Sequence, residues 1–238
     1  MGEYALRLSE SEMARYQGMA QRARETESEL WRLAGITSGA HVVDVGCGPG
    51  ATIVAMAGVV GAEGSVTGVD ADPDAVDRAT SVIAAEGLAR AGARAGQADA
   101  TGLDPAAYDV AVLRHVLAHN GGREQAIVDH LATLIRPGGC VYLVDVEASM
   151  TRMWPLVPEF VELLERYHAF HAGLGNDLQV GLRLPDLLRE AGLEVLEHRG
   201  QLLIRKSSRG RASGTTGLAW LRRGAGAGEA VVRRRARG

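Results

Sequence analysis

Lysine is almost missing from this chain. Of 26 basic residues only Lys206 is a lysine; the rest are arginines. That bias, with abundant Ala and Gly, reflects gene composition more than function. Aromatic residues make up 4% of the sequence, with only two phenylalanines, so aromatic packing cannot dominate the core. Two cysteines, Cys47 and Cys140, exclude a disulfide framework and make a reducing cytoplasm the expected compartment. No apolar run approaches the roughly 18 residues that a membrane helix needs, and the first twenty residues lack the apolar stretch of a signal peptide. No membrane partner is expected.

What is present is a 238-residue chain with 46% hydrophobic residues. That length suits one α/β domain with additional helices better than two full domains. Its core must be built from Ala, Val, Leu and Ile. Charge is uneven. Residues 199–238 hold 11 basic residues and one acid, Glu229, whereas the first 198 hold 15 basic and 28 acidic residues. An acidic body argues against a nucleic-acid surface there, because phosphate affinity rests on Lys and Arg.

The periodicity predicts one or two amphipathic helices over 9–33, then strands alternating with helices. Strands are expected at 41–45, 65–69, 93–98, 108–113 and 140–146, with helices at 52–60, 72–85 and 123–135 between them. Pro137-Gly138-Gly139 reads as a turn launching the fifth strand. Such alternation implies crossover units and a parallel sheet. Helices follow at 155–173 and 182–191. Strands at 193–198 and 201–205 are expected to meet in a tight turn at Arg199-Gly200. From about Ser207 the chain becomes an Arg/Gly/Ala mixture with little period, in which only Leu218–Leu221 offers an apolar anchor, and disorder is expected. The expected division is therefore a domain over 1–206, comprising N-terminal helices (1–39), a ligand-binding core (40–146) and a cap with the last strands (147–206), followed by a basic tail over 207–238.

The strongest motif is Val42-Val43-Asp44-Val45-Gly46-Cys47-Gly48-Pro49-Gly50, a strand running into a glycine-rich turn and a helix. Glycines let backbone approach a ligand closely, and a helix start offers free N–H groups. Gly46, Gly48 and Ala51 also satisfy a dinucleotide-binding G-x-G-x-x-A pattern, so the turn alone is ambiguous. Asp44, two residues before the first glycine, is unusual for a dinucleotide site, and Gly50 makes the pattern G-x-G-x-G. Asp70 closes the second strand, Asp99 follows the third, and Leu134-Ile135-Arg136-Pro137-Gly138-Gly139 precedes the fifth. Together these resemble the class I S-adenosylmethionine-dependent methyltransferases, most strongly over residues 40–146. The resemblance implies a Rossmann-like, mostly parallel seven-stranded sheet with helices on both faces and a helical cap. It implies S-adenosylmethionine as cofactor, held by Asp44, Gly46, Cys47, Gly48, Gly50, Asp70, Ala71, Asp99, Ala100 and Arg114, with Asp70 on the ribose hydroxyls and Asp99 on the adenine amino group. Asp44 can equally serve to hold the turn, and the Cys47 thiol reads as packing rather than as a nucleophile.

The fourth strand ends in Leu113-Arg114-His115-Val116-Leu117-Ala118-His119-Asn120, which is similar to a segment of ubiquinone and menaquinone biosynthesis methyltransferases. Ligands of doubly wound sheets sit beyond the carboxyl ends of the strands. His115 or His119 could therefore take a proton from an acceptor, although both could also merely pack. Tyr167, His168 and His171 on the helix at 155–173 fall where such enzymes place a substrate-covering insertion. No third ligand accompanies His168 and His171, so no metal is expected. The expected reaction is methyl transfer to O, N or C of a small-molecule acceptor, as in natural-product or quinone-type biosynthesis. The rivals are a non-methylating catalyst or cofactor sensor on the same fold, and an NAD-dependent oxidoreductase. The oligomeric state stays open.

Overall fold

The computed structural model describes residues 10–201 and 226–234. Two helices, α1 (Glu10–Thr26) and α2 (Ser28–Ala34), precede the sheet. Then come β1 (His41–Val45), α3 (Ala51–Val60), β2 (Ser65–Asp70), α4 (Pro73–Ala85), β3 (Ala91–Ala95), β4 (Tyr108–Arg114), α5 (Glu124–Leu134) and β5 (Ile135–Glu147). The cap helix α6 (Pro158–Gly173), α7 (Val180–Glu190), β6 (Leu193–Gln201) and β7 (Gly226–Arg234) complete it. The seven strands lie in the order β3-β2-β1-β4-β5-β7-β6. The first five pair in parallel, and β7 runs antiparallel to both β5 and β6.

Alternation along each strand divides the core into two layers. Val43, Val45, Ala111, Leu113, Val141 and Leu143 face α5 and α7, packing on Ile127, Leu131, Leu184 and Leu188. Val42, Val110, Val112, Tyr142 and Val144 face α2, α3 and α4, packing on Trp31, Ile53, Met56 and Ala79. Helix α4 starts as its sequence demands: the Asp72 side chain accepts from the Asp74 N–H, and Pro73 occupies the first turn.

Several expectations need correction. The third strand is Ala91–Ala95, two residues earlier than its apolar content suggested, because its pairing with β2 ends at Asp70↔Ala95. Pro137-Gly138-Gly139 does not precede β5 but bulges within it, since Ile135 pairs with Tyr108 and Cys140 with Val110. Arg199-Gly200 is no turn: β6 runs straight through it, paired with β7 on Glu229 and Gly228. Most consequential is the tail. Residues 226–234, expected to be disordered, form β7 inside the sheet, with Ala230, Val231 and Val232 fully buried. A strand sandwiched between two others takes its backbone hydrogen bonds from both, so three small apolar residues suffice to seat it. The expected strand segment 202–205, the expected anchor 218–221 and the rest of the tail lie outside the described residues.

Candidate functional site

The carboxyl ends of β1, β2 and β4 converge on the glycine-rich turn. Gly46 has φ +76°, and a Cβ there would lie 2.3 Å from Cγ2 of Val116, so only glycine lets the turn pass beneath the segment after β4. The Gly46 N–H donates to the Val69 carbonyl at 2.7 Å, and the Gly48 N–H to Asp70 Oδ2 at 2.8 Å. The other Asp70 oxygen accepts from the Asp72 N–H at 3.0 Å. Burial raises the Asp70 pKa despite these bonds. Gly50, also left-handed, caps α3. Cys47 is buried against Gly68 of β2, and burial pushes its thiol up, away from nucleophilic character.

Asp44 is buried, with Oδ2 lacking a hydrogen-bond partner among the described residues. Burial raises its pKa to about 7, opposed by the nearby Arg114 and aided by Asp70. Arg114 points its guanidinium at Glu27 (2.5 Å), leaving its own Nε unpartnered among the described residues. Glu27, at the α1–α2 joint, also accepts from the Tyr142 hydroxyl at 2.9 Å and from the Trp31 indole at 3.3 Å. The resemblance assigned Arg114 to the cofactor; the structure gives its charged end to this buried carboxylate.

Ala71 follows Asp70 directly and is exposed. Asp99 lies in the loop after β3, where Ala100 bridges Gln97, and both its oxygens pair with Arg123 at 2.6 and 3.1 Å. That pair lowers its pKa. The same loop is pinned to α5 where the Thr101 N–H donates to His130 Nε2 at 3.1 Å.

His115 has φ +57°, an uncommon conformation for a residue with a side chain. Its Nδ1 is sealed from water without a partner among the described residues, and enclosure lowers its pKa to about 3, with Arg114, His119 and Arg15 adding to the effect. His119 ends a short 3-10 turn, Leu117–His119. Its ring centroid lies 5.4 Å from that of His171 on α6, and the Tyr167 ring meets His171 edge-on at 4.5 Å. His171 is buried and its Nδ1 lies 3.1 Å from Asn176 Nδ2. Desolvation lowers the pKa of both imidazoles, which favours their neutral, proton-accepting form. His168, with Tyr167 6.1 Å away, keeps a buried Nε2 without a hydrogen-bond partner among the described residues. The cap thus docks at the carboxyl edge. A Cβ on Gly121 would fall 1.7 Å from the Gly175 carbonyl oxygen, so the α6–α7 turn rests directly on the loop after His119.

Sequence reasoning missed the residues that α1 brings. A Cβ on Gly48 would lie 3.3 Å from the Tyr16 ring, which places Tyr16 over the glycine turn. Arg15 stacks on Tyr16 at 4.5 Å, pairs with Glu12 at 2.7 Å and acts electrostatically on His115. An amphipathic pattern shows that a helix packs, but not which end of the sheet it covers. Among the described residues no helix is long and apolar enough to cross a membrane, and no three His, Cys, Asp or Glu side chains group as a metal site.

Comparison with known proteins bears on the family and the fold. A family model described as a methyltransferase domain matches residues 36–183. The O-methyltransferase resE of Aspergillus sclerotiorum is 28% identical over 168 residues, covering 68% of this chain and 57% of that protein. This chain therefore spans little more than half the length of that curated relative. Among solved structures, a SAM-dependent methyltransferase from Aquifex aeolicus superposes with a TM-score of 0.58 at 15% identity, over 92% of this chain and 97% of the other. The [4+2]-cyclase SpnF superposes with a TM-score of 0.62 at 18% identity, over 93% and 82%. Likeness at such low identity speaks to the fold alone.

Proposed function

The chain belongs to the methyltransferase-domain family and uses S-adenosylmethionine; on that premise we propose that it methylates a hydroxyl oxygen of a small-molecule acceptor, with His119 receiving the hydroxyl proton. The observation carrying this reading is the meeting of His119 and His171 just beyond β4, on the segment whose Val116 packs on Gly46 of the glycine-rich turn.

The residues present fit the methyl donor. Asp44 offers a buried carboxylate oxygen without a partner among the described residues, suited to an ammonium group. Asp70 ends β2 with a carboxylate already drawn onto the turn, suited to ribose hydroxyls. Gly46, Cys47, Gly48 and Gly50 form the backbone of the turn that would meet the donor, with Tyr16 over Gly48. Ala71 and the Asp99–Ala100 loop, pinned by Arg123 and His130, border the adenine side. When bound, the donor supplies an electrophilic methyl group on a sulfonium.

What remains for the chain is to align the acceptor and to remove its proton. A hydroxyl must lose that proton to become a good nucleophile, whereas a neutral amine already offers a lone pair; a neutral imidazole at the mouth therefore favours O-methylation. The O-methyltransferase relative supports the same choice. Of the two histidines, His115 is too weak a base, its pKa being lowered to about 3 by enclosure. His119 stays accessible to solvent, although its ring is partly desolvated, and it faces the cap. Tyr167, His168 and His171 supply a wall of flat rings, suited to a planar acceptor such as those of natural-product or quinone-type biosynthesis. The test is turnover of phenolic against amine acceptors, read by mass spectrometry as the gain of one methyl. His119→Gln should lower turnover about 10²–10⁴-fold while S-adenosylhomocysteine binding stays within about twofold. A variant that keeps full turnover refutes the base.

A further inference from the structure

The segment carrying His119 is too short to hold itself. The turn Leu117–His119 is a single 3-10 turn between a strand and a glycine pair, and its first residues have no helical partners for their N–H groups. The partner comes from the neighbouring strand. Asp145 of β5 is fully buried, and its Oδ2 accepts from the Leu117 N–H at 2.8 Å and the Ala118 N–H at 3.4 Å. Its Oδ1 accepts from the Val146 N–H at 2.8 Å. One residue earlier on the same strand, the Val144 carbonyl accepts from the His115 N–H at 2.7 Å. From the opposite face of the sheet, Glu27 holds the Arg114 side chain. The backbone is therefore gripped on both sides of His115, which is where it adopts φ +57°. Such a conformation persists in a residue with a side chain only where its surroundings over-determine it, and those places cluster at functional sites.

We propose that Asp145 is a positioning residue of the methyl-transfer reaction, its carboxylate fixing the 117–118 backbone so that the His119 ring stands against His171. The sequence of β5 would serve the core better without it. Asp145 shares its face of the strand with Val141 and Leu143, and that face packs on α5 and α7. A carboxylate among aliphatic side chains is costly to bury and persists where specific N–H groups receive it. Within β5 its carboxylate meets only the adjacent Val146 N–H, while its other oxygen reaches out of the strand to the 117–118 backbone. The effect on the ring is geometric: His119 is two residues beyond the first clamped N–H, so a tilt of the turn swings the imidazole out of reach of an acceptor seated under the cap.

The experiment uses the full chain with Asp145→Asn, which keeps the side-chain shape and one accepting oxygen but loses the charge. A core variant of α7, Leu187→Val, serves as a control for stability alone. The expected result is a fall in kcat of tenfold or more, with KM for S-adenosylmethionine within twofold, at a temperature where both variants are folded. In the S-adenosylhomocysteine complex, the His119 ring-proton resonance, assigned by its loss in His119→Gln, should leave the position that the His171 and Tyr167 ring currents give it. If Asp145→Asn does not fold, Asp145→Ser, which leaves space for water at the Leu117 N–H, is measured instead. A kcat matching the control, or an unmoved His119 resonance, overturns the proposal. It rests on the role given to His119 above, and the two fail differently. Full turnover in His119→Gln removes the base, whereas wild-type kcat in the Asp145 variant removes the positioning role and leaves the base standing.

Discussion

Asp44 carries a cost in the protein without ligand. Its carboxyl is buried with one oxygen unpartnered among the described residues, and burial raises its pKa from 3.8 to about 7. A carboxyl with a raised folded-state pKa contributes stability fully below its unfolded pKa and loses that contribution as pH rises through the folded value. The loss here falls between about pH 4 and pH 7, and at about 1.4 kcal/mol per pK unit it amounts to a few kcal/mol. Asp44→Asn is shape-conserving and cannot ionise. It should melt several degrees above the wild type at pH 8, and the gap should close as pH falls toward 4. The same variant should bind S-adenosylhomocysteine more weakly, because the charged acceptor is gone, by about 1.5–3 kcal/mol. Scanning calorimetry and titration calorimetry on one preparation measure both; equal melting at pH 8 would show that the carboxylate is already satisfied.

At the scale of elements, the cap and the segment after β4 behave as one unit. The Gly175 carbonyl sits where a Cβ of Gly121 would be, so Gly121→Ala must push the α6–α7 turn away and separate His171 from His119. Displacements near 1 Å at a reacting centre can cost about 10²-fold in rate. Gly121→Ala is expected to lose roughly that in kcat/KM for the acceptor while the cofactor affinity is kept, which stopped-flow binding and steady-state assays separate. The covering place of the cap helix was implied by the resemblance, but its contacts with the segment after β4 were not legible beforehand. Tyr167, His168 and His171 could be placed on a helix and the histidines after β4 could be placed at a strand end, but their meeting depends on two glycines far apart in the chain. The elements that could be read are those with local signals: β-branched runs for β1 and β4, Asp72-Pro73 for α4, and glycine spacing for the turn after β1. Elements defined by their partners were not legible. Helix α1 shows periodicity but not that Tyr16 overlies Gly48, and β7 has only Ala230-Val231-Val232 between glycines and arginines.

At the scale of the whole molecule, β7 decides how much chain the fold requires. Truncation after Lys206, harmless if the tail were dispensable, should instead leave β5 and β6 without their common neighbour and three buried apolar side chains without a place. Burial of each such side chain contributes up to about 1.5–3 kcal/mol for the larger ones, and exposed strand edges invite association. The truncated protein is expected to melt at least ~10 °C lower or to precipitate; unchanged melting and turnover would show that β7 is peripheral. The position of β7 also orders events during synthesis. Cys140 of β5 waits for Arg233, and Leu193 of β6 waits for Arg234. A ribosome that has delivered everything through β6, including all the residues of the glycine turn and the histidine mouth, still holds a sheet with a gap one strand wide. Completion is therefore a late, long-range closure, and a chain released before residue 226 carries the whole apparatus of the site on a scaffold that cannot shut.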